Sequence, residues 1–167
     1  VQEAAINHYV TMSDEELYQL PVAEIAADNC ILLLWATFPK LSEALRLIEA
    51  WGFQYKTVGF VWVKTNPSGN GFFLGLGWWT RSNAEICLLA VRGKPKRQCA
   101  GISQLIISPR ERHSKKPDIV RDLAVTLVGD VPRIELFARE TSPGWDVWGN
   151  EVDCSITLTQ SEGDMHE

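Results

Sequence analysis

"CILLLWATFPKLSEALRLIEAWGFQYKTVGFVWVKTN", Cys30 to Asn66, decides the fold. Its first seven residues are an unbroken apolar run of strand length. A half-exposed strand would alternate, so Cys30 to Ala36 reads as a buried central strand. From Pro39 to Gly52 the pattern changes: Leu41, Ala44, Leu45, Ile48 and Trp51 fall at helical spacing, with Pro39 near the start and Gly52 as the stop. Tyr55 to Thr65 is β-rich again. Strand, helix and strand in succession predict an α/β layered sheet.

Upstream, Ser13 is a helix N-cap with Glu16 three residues on, a capping box, and Pro21 is expected to end that short helix. Downstream, Ala84 to Gly93 is a second β-rich segment that can pair antiparallel with Tyr55 to Thr65, which makes the sheet mixed. Gln104 to Ser108 is a shorter strand. Ile119, Leu123 and Leu127 mark a helix closed by Gly129, and Pro132 to Arg139 reads as a last main strand. In such sheets ligands bind beyond the carboxyl ends of the strands. Four loops are therefore candidate site walls: the segment before Thr11, the aromatic loop 66–83, the basic loop 108–117 and the loop 139–151.

At 167 residues the chain fits one domain, expected over 1–152 with a polar tail at 153–167. Cys30, Cys87, Cys99 and Cys154 form no C-x-x-C pair and read as reduced thiols, neither a zinc site nor a disulfide framework. His8, His113 and His166 have no spaced partner, so no metal site is expected. No apolar stretch is long enough for a membrane span, and no basic-then-apolar leader opens the chain, so a cytoplasmic address is expected. Because the sequence starts at Val1, a segment upstream of it is also expected.

The net charge of −5 argues weakly against a nucleic-acid partner. Its distribution argues the other way: eight of the 16 basic residues, Arg92, Lys94, Lys96, Arg97, Arg110, Arg112, Lys115 and Lys116, fall in one stretch with Glu111 as its only acid. Seven tryptophans exceed what packing needs. Phe72, Phe73, Trp78 and Trp79 crowd a connection between two strands, where they offer stacking surfaces for a base or cover a subunit interface. Glu135 and Arg139 fall on one face if the strand runs through both. Asn150 and Glu151 suit a polar ligand.

"YVTMSDEELYQLPV", the quoted stretch 30–66, "GWWTRSNAEICLLAVRGKPK", "HSKKPD" and "PRIELFARETSPGWDVWGNEV", in this order and spacing, resemble the MT-A70 family of adenine N6-methyltransferases from about Asn7 to Val152. The resemblance implies a Rossmann-like methyltransferase fold with a mixed sheet flanked by helices. It also implies S-adenosylmethionine as methyl donor and the exocyclic amine of adenine in DNA as acceptor, with RNA as the alternative.

By the same resemblance Tyr9 borders the adenine, Glu85 lies beside its pocket, and Ser114 and Lys116 touch both adenine and cofactor. Glu135 and Arg139 match the cofactor wall, and Asn150 with Glu151 match the pair at the cofactor's sugar and adenine. Thr141 and Ser142 stand where relatives carry other polar side chains. Trp78, Trp79 and Arg81 of the aromatic loop, with Lys94, Lys96, Arg97, Arg110, Arg112 and Lys115, are the expected nucleic-acid contacts, and a homo- or heterodimer fits the loop equally. The family's D-P-P-W tetrapeptide, expected just upstream of Tyr9, is not in the sequence. Either an upstream segment carries it, which leaves the 167 residues alone inactive, or the chain is a member without it that binds nucleic acid or a partner.

Overall fold

The computed structural model describes residues 12–112 and 115–158. They form two compact units, one made of the residues up to Ile25 together with those from Val131 onward, the other of Ala26–Asp130.

The first unit opens with α1 (Asp14–Tyr18) and α2 (Val22–Ile25). The expected capping box starts α1: the Glu16 amide donates to Ser13 Oγ at 3.3 Å, and the Ser13 amide donates to Glu16 Oε2 at 2.6 Å. Pro21 does not end this helix. α1 has already stopped at Tyr18, and Pro21 instead precedes α2, where a missing N–H costs nothing because the first helical amides have no intrahelical acceptor.

In the second unit, β1 (Cys30–Ala36) leads through a short 3-10 turn into α3 (Leu41–Ala50), followed by β2 (Gln54–Thr65), β3 (Ala84–Arg92), β4 (Leu105–Pro109) and α4 (Ile119–Val128). The strands lie in the order β1-β3-β2-β4, antiparallel except that β4 runs parallel to β2. The mixed sheet with helices expected from the sequence is thus present. The expectation of a central β1 is not met: among the described residues it is an edge strand, and of its seven residues Ala36 alone is buried. An apolar run reports that side chains on both faces find cover. It carries no information about how many neighbours the backbone bonds to.

Helix α3 packs on β1 and β2 and buries Ala44, Leu47 and Ile48, with Trp51 buried just beyond its end. In α4 the buried residues are Val120 and Ala124, while Ile119 is half exposed. The helix is apolar around most of its circumference, so spacing alone does not fix which side faces the sheet. The core of this unit joins Phe60, Trp62, Cys87, Ile106 and Val120, with Leu33, Trp35, Ile102 and Leu123 packed against them. Gly93 ends β3 at φ 66°, where a Cβ would stand 2.1 Å from the Asp28 carbonyl oxygen, so this turn requires glycine.

Burial pushes the Cys87 thiol up to about 12, against a small opposing pull from the Lys116 charge. Near pH 8 it therefore holds almost no thiolate, and a thiol reagent is expected to label the exposed Cys154 while sparing Cys87 until the protein unfolds. Peptide mapping after alkylation checks this; labelling of Cys87 in the folded protein would contradict its burial.

The first unit ends with β5 (Ile134–Leu136) and β6 (Asp146–Trp148), a parallel pair. The strand expected from Pro132 to Arg139 is shorter because Phe137 adopts φ 60°, a left-handed conformation that breaks the pleat. The expectation that Glu135 and Arg139 share a strand face fails for that reason: Arg139 lies beyond the strand. No helix among the described residues is long and apolar enough to cross a membrane.

Candidate active site

Antiparallel pairing sets Glu85 of β3 opposite Trp62 of β2. Lys64 follows Trp62 by two residues, so the pleat returns it to the same face. Glu85 is only 9% exposed, and both of its oxygens are bonded: Lys64 Nζ donates to Oε1 at 2.6 Å, and Lys116 Nζ, from the loop ahead of α4, reaches Oε2 at 2.7 Å. Each ammonium also lies over an indole, Lys64 at 4.9 Å from the Trp62 centroid and Lys116 at 5.9 Å from that of Trp35. The two indoles meet edge to face at 6.2 Å. Trp62 is further fixed by its Nε1, which donates to the Ser108 carbonyl at 3.2 Å.

Burial pushes the Glu85 carboxyl up, but the charge and hydrogen bond of Lys116, then those of Lys64, outweigh it and hold the group below its ordinary value of 4.5. A depressed carboxyl stabilises the fold above that ordinary value. The contribution is lost as the pH falls through the depressed one. With its oxygens occupied and its proton affinity lowered, Glu85 is suited to hold charge in place and not to take a proton. The cluster carries one net positive charge beside apolar indole faces, a setting that fits a planar polar ligand.

In the other unit two of the expected cofactor residues, Arg139 and Glu151, meet just beyond the parallel pair β5 and β6, whereas Lys116 belongs to the unit already described. Arg139 Nε donates to Glu151 Oε1 at 2.9 Å, joining the segment after β5 to the segment after β6. The link is possible because Gly149 sits against Ala138: a Cβ there would be 2.3 Å from the Ala138 oxygen. The Ala138 amide also donates to the Trp148 carbonyl at 3.0 Å, and Phe137 meets Trp148 edge to face at 5.3 Å. Asn150 and Thr141 are exposed nearby in sequence, while Glu135 and Ser142 are half-buried. This donor and acceptor set fits a ligand carrying a diol and polar heterocycle edges, the kind of group held at strand carboxyl ends in α/β sheets.

The aromatic loop is ordered by its own backbone. Asn66 and Gly71 close a first turn at 3.1 Å, the Phe73 amide donates to the Lys64 carbonyl at 2.8 Å, and the Gly75 amide donates to the Ser82 carbonyl at 2.8 Å. Glycine is required at 75 and 77, where a Cβ would meet the carbonyl oxygens of Ser82 at 2.4 Å and Thr80 at 1.7 Å. The narrow hairpin this makes presents Trp78 at 92% and Trp79 at 100% exposure. Phe72, Leu74 and Leu76 are also exposed, whereas Phe73 is half-buried and carries the Arg110 guanidinium at 4.1 Å from its ring centroid.

Along the basic strip Lys94, Lys96, Arg97, Arg110 and Arg112 are exposed, as is Arg81. Lys115 differs: it is bonded to Glu111 and Asp118, each at 2.8 Å. Its charge is already matched within the loop. Tyr9 and Ser114 lie outside the described residues. The residues that sequence reasoning missed are Lys64 and the indoles of Trp35 and Trp62. Alternation along "WVKTN" was the available signal for Lys64, but pairing it with Glu85 needs the register of β2 on β3. Among the described residues no group of His, Cys, Asp and Glu could hold a metal ion.

The MT-A70 family profile matches residues 2–151. The chain is 38% identical over 163 residues to the Type II methyltransferase M.MunI of a Mycoplasma species, covering 95% of this chain and 66% of that protein. It is 30% identical over 158 residues to an N(6)-adenosine-methyltransferase MT-A70-like protein of Drosophila melanogaster, covering 92% of this chain and 26% of that one. An N(6)-adenosine-methyltransferase MT-A70-like protein of Arabidopsis thaliana is 28% identical over 148 residues, 87% of this chain and 21% of its own length. The chain thus spans about two thirds of the first relative and about a quarter of the others. With the family profile matching residues 2–151, nearly its whole length, the chain belongs to the MT-A70 family.

Proposed function

We propose that the protein transfers a methyl group from S-adenosylmethionine to N6 of adenine in DNA. The observation that carries this reading is the clustering of the residues matched by family resemblance: Glu85 with Lys116 in one unit, and Arg139 with Glu151 at the carboxyl ends of β5 and β6 in the other. Similarity to a bacterial Type II methyltransferase supports DNA over RNA.

When bound, S-adenosylmethionine would supply an electrophilic methyl group and leave as the neutral thioether, and the proton lost from N6 would pass to water. The chain's own part is to bind and orient. Glu135 and Glu151 accept hydrogen bonds from a ribose diol, Arg139 keeps Glu151 in place, and Asn150 bonds a heterocycle edge through its amide. Glu85, kept ionised by two lysines, supplies a fixed negative charge beside the amine, where positive charge develops as the methyl group arrives. Lys116 fixes that carboxylate. The exposed cations of the basic strip hold phosphates, and Trp78 and Trp79 stack on unpaired bases.

The test is calorimetric titration of S-adenosylmethionine into the complete protein and its Asn150→Ala variant, with labelled methyl transfer to DNA and RNA oligonucleotides in parallel. The variant is expected to bind about tenfold more weakly, the loss of one or two hydrogen bonds to a polar ligand. Absence of cofactor binding in the wild-type protein would overturn the reading. Labelling of RNA alone would overturn the DNA assignment.

One observation favours a second role for the aromatic loop. Phe72, Leu74, Leu76 and Trp78 alternate outward, and no charged residue occurs between Lys64 and Arg81. Apolar, charge-poor stripes are typical of the centre of a subunit contact, and leucines offer no ring to stack on a base. A homo- or heterodimer through this stripe is the second reading, and the oligomeric state of the loop variant described in the Discussion separates the two.

A further inference from the structure

We propose that Lys64 is a positioning residue of the methyl-transfer site: it holds Glu85 as an ionised, doubly bonded carboxylate and so fixes where the Lys116 ammonium stands. This rests on the reading of the site given above, to which the family resemblance contributes Glu85 and Lys116 but not Lys64.

The geometry is specific. Lys64 takes one oxygen of Glu85 at 2.6 Å and Lys116 the other at 2.7 Å, so neither lysine competes for the same lone pairs. Lys64 is the better buried of the two, with its side chain 16% exposed against 32% for Lys116. Its backbone is held on both sides, by its amide donating to Asn83 at 2.8 Å and its carbonyl accepting from Phe73 at 2.8 Å. Its ammonium lies over Trp62, which is itself buried and bonded to the Ser108 carbonyl. Lys64 is thus held at its backbone and at its ammonium and acts as the fixed end of the cluster, while Lys116, on a loop, is the end able to meet a ligand.

Without Lys64, Glu85 keeps a single cationic partner in a buried setting. Burial then weighs more heavily against the ionised form, and Oε1 is left to draw Lys116 into a bidentate position away from its present one. The charged and titratable groups around the carboxyl are few among the described residues. Lys64 comes from β2, Lys116 from the loop ahead of α4, and Cys87 lies two residues along β3. β1 contributes Trp35 and β4 contributes Ile106, neither charged. The same Phe73 bond ties the foot of the aromatic loop to Lys64, so the cluster and the loop share one backbone anchor.

The experiment compares the complete wild-type protein with Lys64→Gln and Lys64→Arg. The Glu85 carboxyl is followed by carbon-detected NMR titration, with Glu85→Gln for assignment, and methyl transfer is followed as single-turnover rate and KM from acid to neutral pH. In Lys64→Gln the carboxyl is expected to titrate at higher pH than in the wild type. Its transfer rate should fall about threefold or more on the acid side relative to neutral pH, with KM for the oligonucleotide little changed. Lys64→Arg should restore both. A Lys64→Gln protein with wild-type titration and pH profile would overturn the proposal, as would a loss uniform in pH with KM rising in parallel, which is the mark of a loosened fold. Should the wild-type protein transfer no methyl group, the functional reading fails by itself. The titration then decides for Lys64: an unshifted carboxyl overturns its hold on Glu85 and a shifted one supports it.

Discussion

Lys116→Met is expected to lower methyl transfer by about 10²–10³-fold, the range found when one preorganised hydrogen-bond donor is removed from a reaction centre. Two effects combine. The ammonium that the family resemblance sets against cofactor and adenine is gone, and Glu85 loses the partner at 2.7 Å whose charge does most to keep it ionised. Methionine keeps the length and much of the volume of the stem, so its packing near Trp35 changes little. The loss should fall on kcat, because Glu85 without this partner no longer holds its negative charge in place as positive charge develops at the amine, and cofactor binding should weaken less. Initial rates with labelled cofactor and an adenine-containing duplex measure it. A variant within about threefold of the wild type would remove Lys116 from the reaction centre, since a loss that small is under about 0.7 kcal/mol.

The double variant Trp78→Ala with Trp79→Ala carries the second large effect. If the two indoles stack on bases, each is worth about 1–3 kcal/mol, and affinity for a single-stranded oligonucleotide should fall about 10²-fold. The melting temperature should not move. Side chains at 92% and 100% exposure bury nothing, and the backbone that shapes the hairpin is held at Gly75 and Gly77. The dependence of binding on salt should also stay unchanged, because no cation is lost. Fluorescence anisotropy and sedimentation of the same preparation separate the outcomes. A drop in affinity with constant mass supports base stacking, whereas a change from dimer to monomer with affinity retained supports the subunit contact and overturns the stacking role.

The sequence by itself determined the α/β class, because strand and helix periodicities differ and the stretch 30–66 contains both. It determined the capping box at Ser13 and Glu16, whose partners are three residues apart, and the antiparallel pairing of 55–65 with 84–93. It also determined the family, since five blocks kept their order, and the roles given to Glu85, Lys116, Arg139 and Glu151 rest on that resemblance. What it left open depends on contacts between segments distant along the chain. β1 looks central from its side chains but stands at a sheet edge among the described residues, because backbone pairing leaves no trace in hydrophobicity. Arg139 and Glu135 fall on one pleat only until Phe137 turns left-handed, which no periodicity announces. Lys64 is an ordinary alternating lysine until the register of β2 on β3 and the loop ahead of α4 bring two ammonium groups to one buried carboxylate. Burial of that charge is what gives the cluster its meaning, and burial is a property of the tertiary structure alone.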